Sequence, residues 1–301
     1  MNLLQQLPDC LPGPAASGFG LADSSPPFPV HVERHPRPDL TKLGAAPLLI
    51  EDQAWAGWVS QKMEHVRDGS APLVADGVSQ ATLSLWADWV AQAFRLRVPN
   101  GPIDSHGAFP WLGGLRPSNP NEFFVALTLS LQEDFALMVP DRHGGLSAQV
   151  LSVAFPSGWD PAEKLGLSLQ DIHGPVADNA ALQRGTPAMA QAMSSKGPFI
   201  RHVWTLAGNS RLGRAPHNDT LADIHRLDDL WFRCERQVTI PLSGHASLFL
   251  IRVFVAPYLD VVSTPERQER IIDALRAMSP ATIRYKNISR AVDLILKSTH
   301  V

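Results

Sequence analysis

Residues 230–257, LWFRCERQVTIPLSGHASLFLIRVFVAP, decide how the rest of the chain is read. Two runs rich in aromatic and β-branched residues, 230–242 and 245–257, flank Ser243-Gly244, a dipeptide with short-turn chemistry. The spacing predicts two antiparallel strands joined as a hairpin. In the first strand, alternation puts Arg233, Glu235 and Gln237 on one face. Phe232, Cys234, Val238 and Ile240 share the other face with Arg236. An arginine on an apolar face needs a partner, because an unpaired buried charge costs on the order of several kcal/mol. A core ion pair meets that need. So does a clamp on an anionic ligand, since guanidinium matches carboxylate and phosphate geometry.

Working outward, "EFFVALTLSLQEDFALMV" (122–139) alternates Phe123, Val125, Leu127, Leu129 and Leu131 with Phe124, Ala126, Thr128, Ser130 and Gln132, and is read as a half-buried strand. "SAQVLSVAF" (147–155) and "FIRHVWTL" (199–206) read as further strands, giving about five in the middle of the chain. Helical periods lie on both sides. "EDQAWAGWVSQKMEHVRDG" (51–69) opens with acids, places Trp55, Trp58, Val59, Met63 and Val66 on one face, and stops at Gly69. "SQATLSLWADWVAQAFRL" (79–96) turns Leu85, Trp86, Trp89, Val90 and Phe94 inward. Residues 179–195 are helical unless Pro187 breaks them. Thr264 caps a helix with Pro265 at its first position, and a last helix spans about 287–297. Strands grouped between helices, rather than alternating with them, predict an α+β fold with an antiparallel sheet. Residues 1–48 are rich in proline and read as an irregular arm; 49–301 read as one domain.

The 301-residue chain carries a formal charge of −3 and no Lys/Arg run, which leaves no electrostatic footprint for nucleic acid. No stretch is apolar enough to span a bilayer, the first 20 residues lack a positive signal region, and Cys10 and Cys234 make no disulfide framework. A reducing cytoplasm is the expected compartment. P-loop, HExxH and GxSxG motifs are absent, and "GFGLAD" (18–23) lacks the third glycine of a dinucleotide fingerprint. The eight tryptophans suit a large core or the walls of a flat pocket. Three local features remain. "SLQDIHGPVADN" (168–179) sets His173 at a corner shaped by Gly174 and Pro175, either a hydrogen-bonded turn or an aimed imidazole. "LQEDF" (131–135) places Glu133 and Asp134 at a strand end, as a solvated turn or a catalytic pair. "RHVW" (201–204) joins Arg201, His202 and Trp204.

Taken in order, "LQEDF", "FPSGWDPAEKLGLSLQDIHGPV" (155–176), "RHVWTL" (201–206), "RCERQVTIPLSGHASLFLIRVFV" (233–255) and "YKN" (285–287) resemble the alpha subunit of haem-dependent oxidative N-demethylases, over roughly 50–297. The resemblance implies a PAS-like domain that binds haem b and acts as a monooxygenase. It implies a small secondary amine and O2 as substrates, with electrons from NADPH passed by flavin and iron–sulfur partner subunits. On that footing His173 is the expected axial iron ligand, and Arg201, Arg233 and Arg236 the partners of the haem propionates. Trp204 is expected to pack on the porphyrin, and Glu133, Asp134 and Glu235 to anchor the amine or relay protons. A non-catalytic PAS-like sensor or binding subunit is the alternative expectation.

Overall fold

The computed structural model describes residues 3–6, 41–50, 55–213 and 221–298. Most of the proline-rich arm, Cys10, and the acids Glu51 and Asp52 proposed to open the first helix lie outside them. The chain starts with β1 (Thr41–Lys42), α1 (Trp55–Asp68), β2 (Leu73–Val74), α2 (Gln80–Arg97) and α3 (Pro120–Ser130). It continues through β3 (Asp134–Pro140), β4 (Leu146–Ser152), α4 (Leu169–Ile172), α5 (Ala180–Ser195) and β5 (Phe199–Ala207). β6 (Trp231–Pro241) and β7 (Ser247–Pro257) form the expected hairpin, and α6 (Tyr258–Val261), α7 (Pro265–Ala277), α8 (Pro280–Tyr285) and α9 (Ser289–Ser298) follow.

One antiparallel sheet in the order β1-β5-β6-β7-β3-β4-β2 organises these elements into an α+β fold. One face is covered along its length. Phe135, Leu137, Val150, Val238, Ile240, Leu248 and Leu250 pack against residues of α1, α2 and α3. Farther along, Trp204, Leu206, Phe232, Cys234 and Phe254 pack against α6, α7 and α9. The opposite face is covered unevenly. α4 and α5 close over Ala136, Met138, Ala148 and Leu151 through Leu169, Ala190 and Met193. Ala154, Phe155 and Leu212 lie over Ile251 and Val253. Toward β5 and β6, Arg201, Val203, Thr205 and Glu235 stay half-buried.

Several sequence expectations need correction. Residues 123–130 are helix, not strand: Asn119 caps α3 by accepting the Glu122 amide at 3.0 Å, and Pro120 occupies its first turn. Because α3 is buried on nearly all sides, no amphipathic stripe marks it. Thr128 and Ser130 donate to the carbonyls four residues back, at 2.8 Å each, so their polarity is absorbed within the helix. In α2 it is Leu83 that faces inward, while Leu85 is exposed. α5 runs through Pro187 unbroken.

Candidate functional site

The half-buried end of the sheet carries a chain of hydrogen bonds built by strand register. Arg201 pairs with Gln237, Val203 with Glu235 and Thr205 with Arg233 across β5 and β6, so all six side chains share one face. The Arg201 Nε donates to Gln237 Oε1. Gln237 Nε2 donates to Glu235 Oε2 at 2.8 Å. Ser157 donates to Glu235 Oε1 and in turn accepts from Arg233 Nε at 2.8 Å. Arg233 is buried, and its remaining nitrogens donate to the carbonyls of Phe155 (2.8 Å) and Leu212. It thus fastens two loops to the sheet. Arg201 lies at the other end, and its terminal nitrogens make no hydrogen bond among the described residues.

His173 stands within electrostatic reach of Arg201. It is the C-cap of the single turn α4, whose start is capped by Ser168 accepting the Asp171 amide at 3.1 Å. The expected corner is therefore a helix end, with the ring folded back so that Nδ1 bonds the Leu169 carbonyl at 2.7 Å. A carbonyl only accepts, so Nδ1 carries the hydrogen and the Nε2 lone pair is left available. Burial, reinforced by the Arg201 and Lys164 charges against the Leu169 bond, holds the imidazole below its usual titration range, so it is neutral at pH 7. The loop behind it is closed by Asn179 Nδ2, which donates to the carbonyls of Gly174 at 2.6 Å and His173 at 3.3 Å. Ser279, which caps α8, donates to Asp178 in that same loop. The far end of α8 brings Tyr285 and Lys286 to the site: both sense the Glu235 charge, and Lys286 Nζ donates to the Trp204 carbonyl at 2.9 Å.

The remaining sequence candidates are placed elsewhere. Arg236 and Trp204 face the opposite side of the sheet from Arg201. Arg236 donates to the carbonyls of Pro47 and Leu48 (3.1 Å for the latter), and Trp204 stacks on Phe232 with ring centroids 5.3 Å apart. Arg236 holds an incoming segment of backbone, and its charge reaches the buried Glu133 carboxyl. Glu133 and Asp134 are wholly buried rather than solvated. Asp134 accepts the amides of Ala154 (3.1 Å) and Phe155 (2.8 Å) and pairs with Lys62 at 3.4 Å. Glu133 accepts the Ile50 amide at 2.9 Å, and burial pushes both carboxyls above their usual range. Asp134 and Gln237 flank Ile251 in register, two strand spacings or about 10 Å apart. The structure therefore gathers Arg201, Arg233, Glu235 and His173, and leaves Glu133, Asp134, Arg236 and Trp204 outside.

Three site residues, Ser157, Tyr285 and Lys286, escaped sequence reasoning, as did Lys62, the partner of Asp134. Lys62 occurs on an otherwise apolar helix face, a position that called for a buried acid. Ser157, Tyr285 and Lys286 lie in the "PSGW" and "YKN" segments, where only their place in the order of motifs marked them. Residues 105–296 match the family model described as "Haem-dependent oxidative N-demethylase, alpha subunit-like".

Proposed function

The chain belongs to the haem-dependent oxidative N-demethylase alpha-subunit-like family, and on that premise we propose that the half-buried face of β5 and β6 holds haem b, with His173 as the protein ligand to iron. The observation that carries this reading is the His173 ring itself. With Nδ1 tied to the Leu169 carbonyl, Nε2 presents a lone pair in a fixed orientation, the arrangement that second-sphere bonding gives to iron-ligating histidines. The donor set fits the group as well. Arg201, whose terminal guanidinium nitrogens make no hydrogen bond among the described residues and whose charge reaches the imidazole, suits a haem propionate. Arg233 serves the site indirectly, by holding Ser157 against Glu235. Trp204 and Arg236, facing away, stiffen the strands that carry these groups.

When bound, haem supplies the oxygen activation that converts an N-methyl group of a small secondary amine to formaldehyde and a shorter amine. The protein's part is to orient and to move protons. Glu235, accepting from both Ser157 and Gln237, is the group able to exchange a proton with a substrate amine at the open face. Asp134 lies on that face but two strand spacings from Gln237, tied to Lys62 and the Ala154 and Phe155 amides, and Glu133 interacts with Arg236 and Arg252; both act on the fold. The electrons come from NADPH through flavin and iron–sulfur partner subunits, in keeping with an alpha subunit. We read the sheet with its flanking helices as PAS-like and residues 49–301 as one domain.

The test is a haemin titration of the purified chain followed by absorbance. The wild type gives a Soret band of a histidine-ligated haem, and His173→Ala loses or shifts it. Arg201→Ala keeps the band but weakens binding roughly 10- to 100-fold, the worth of hydrogen bonds to a charged group. A His173→Ala spectrum identical to wild type refutes the assignment.

A further inference from the structure

Lys286 is carried to this face by the end of α8, and its surroundings are unusual for a cation. It ends α8 half-buried, donates to the Trp204 carbonyl at 2.9 Å, and interacts with Glu235. β1 pairs only with residues 199 and 200 of β5, so beyond them that strand edge has no strand partner among the described residues. Glu235 thus interacts with Arg201 and Lys286 and shares the Ser157 hydroxyl with Arg233. Glu235 interacts with Arg201, yet its oxygens accept from Ser157 and Gln237, and no salt bridge joins it directly to Arg201.

We propose that Lys286 is a positioning residue acting through Glu235: its ammonium compensates the carboxylate, so that the Arg201 guanidinium stays turned to the open face for an anionic group of the ligand. The idea rests on the functional reading above and names the regulation of that same site. With the ammonium lost, Glu235 is left with Arg201 as its strongest available counter-charge. Arg201 then moves toward the carboxylate and away from the ligand. The groups facing this pair are Glu235 and Arg233 from β6, Arg201 from β5 and Tyr285 from α8 itself. Tyr285, about half of its surface exposed, is held above its ordinary value by partial burial and the Glu235 charge, while His173, held below its own, is neutral at pH 7. Lys286 is the member that changes charge just above neutrality: burial pulls it down to about 8 against the opposing pull of Glu235.

Two measurements on the full chain test this. In ligand-free protein labelled with 13C-lysine, the Lys286 Cε resonance, assigned by its absence from Lys286→Arg, titrates near pH 8, and Glu235→Gln lowers that midpoint further. Haemin affinity in the wild type then falls roughly 5- to 10-fold between pH 7 and 9, a coupling of ordinary size. Lys286→Arg, permanently charged, binds as tightly as wild type at pH 7 and shows no such fall. Lys286→Gln, which keeps a donor for the Trp204 carbonyl but no charge, binds as weakly at pH 7 as the wild type does at pH 9. A Lys286 midpoint in the ordinary lysine range, or one indifferent to Glu235→Gln, overturns the proposal. So does Lys286→Gln binding like wild type, which reduces Lys286 to a clamp on the strand edge. If haemin binds no variant while the resonance behaves as described, the haem reading fails and the Lys286–Glu235 coupling stands.

Discussion

Replacing Lys62 with methionine tests the buried pair that holds the site's nearest loop. Lys62 and Asp134 are both wholly buried, with Nζ 2.6 Å from the Glu133 carbonyl and 3.4 Å from Asp134 Oδ1. Methionine fills most of the lysine's volume, so the loss is one of charge rather than packing. Asp134 would keep two backbone donors from Ala154 and Phe155 but no counter-ion. Removing one partner of a buried pair costs about 3–5 kcal/mol. At about 2–4 °C per kcal/mol for a chain of this size, the unfolding midpoint falls by roughly 6–20 °C. The pH dependence gives the reason away. Burial already raises the Asp134 carboxyl above its unfolded value, so its folded form is favoured at low pH and penalised as pH rises through that range. Without the ammonium the carboxyl rises further. Thermal unfolding followed by circular dichroism should therefore show a larger gap between variant and wild type at pH 8 than at pH 5. Lys62→Met/Asp134→Asn should recover part of the loss. A cost under about 1 kcal/mol that is equal at both pH values would refute the reasoning, since an unpaired buried carboxylate cannot be that inexpensive.

Two further outcomes follow from geometry. Gly244, at φ +63°, holds the hairpin turn under the Trp89 ring, where an added Cβ would lie 2.3 Å from Cη2; Gly244→Ala should cost about 1–3 kcal/mol in urea unfolding, with Gly244→Ala/Trp89→Leu regaining part, and a neutral result would mean the turn adapts freely. The Cys234 thiol is raised far above its normal range, chiefly by burial and secondarily by Glu235; in a Cys10→Ser background it should resist Ellman's reagent until the chain is unfolded, and rapid native labelling would place it at the surface instead.

The β6–β7 hairpin was legible because strand alternation reports side-chain facing directly, and the register keeps what the alternation assigned: Arg233, Glu235 and Gln237 on one face, Arg236 on the other. α3 was not legible by that route. Alternation is diagnostic only where one face meets water, and Phe124, Ala126, Leu127, Thr128, Leu129 and Ser130 are all buried. Its start was nonetheless written in the chain: Asn119, Pro120 and Glu122 are a cap, a first-turn proline and an acid at the third helical position. In such a helix the end signals, not the period, carry the information.

The charged residues show why a site is harder to read than a strand. Sequence marks Arg233 and Arg236 equally as cations in a strand, yet one braces two loops beside the site and the other grips backbone on the far face. What separates them is which carbonyls lie within reach, and those belong to residues 47–48, 155 and 212, distant along the chain. A buried arginine is satisfied by neutral carbonyls as well as by a carboxylate, so its partner leaves no charge pattern in the sequence. The informative cation is the one whose donors the fold leaves over. Among the three arginines proposed for the site, and among the described residues, that is Arg201, and it is also the one whose charge reaches His173.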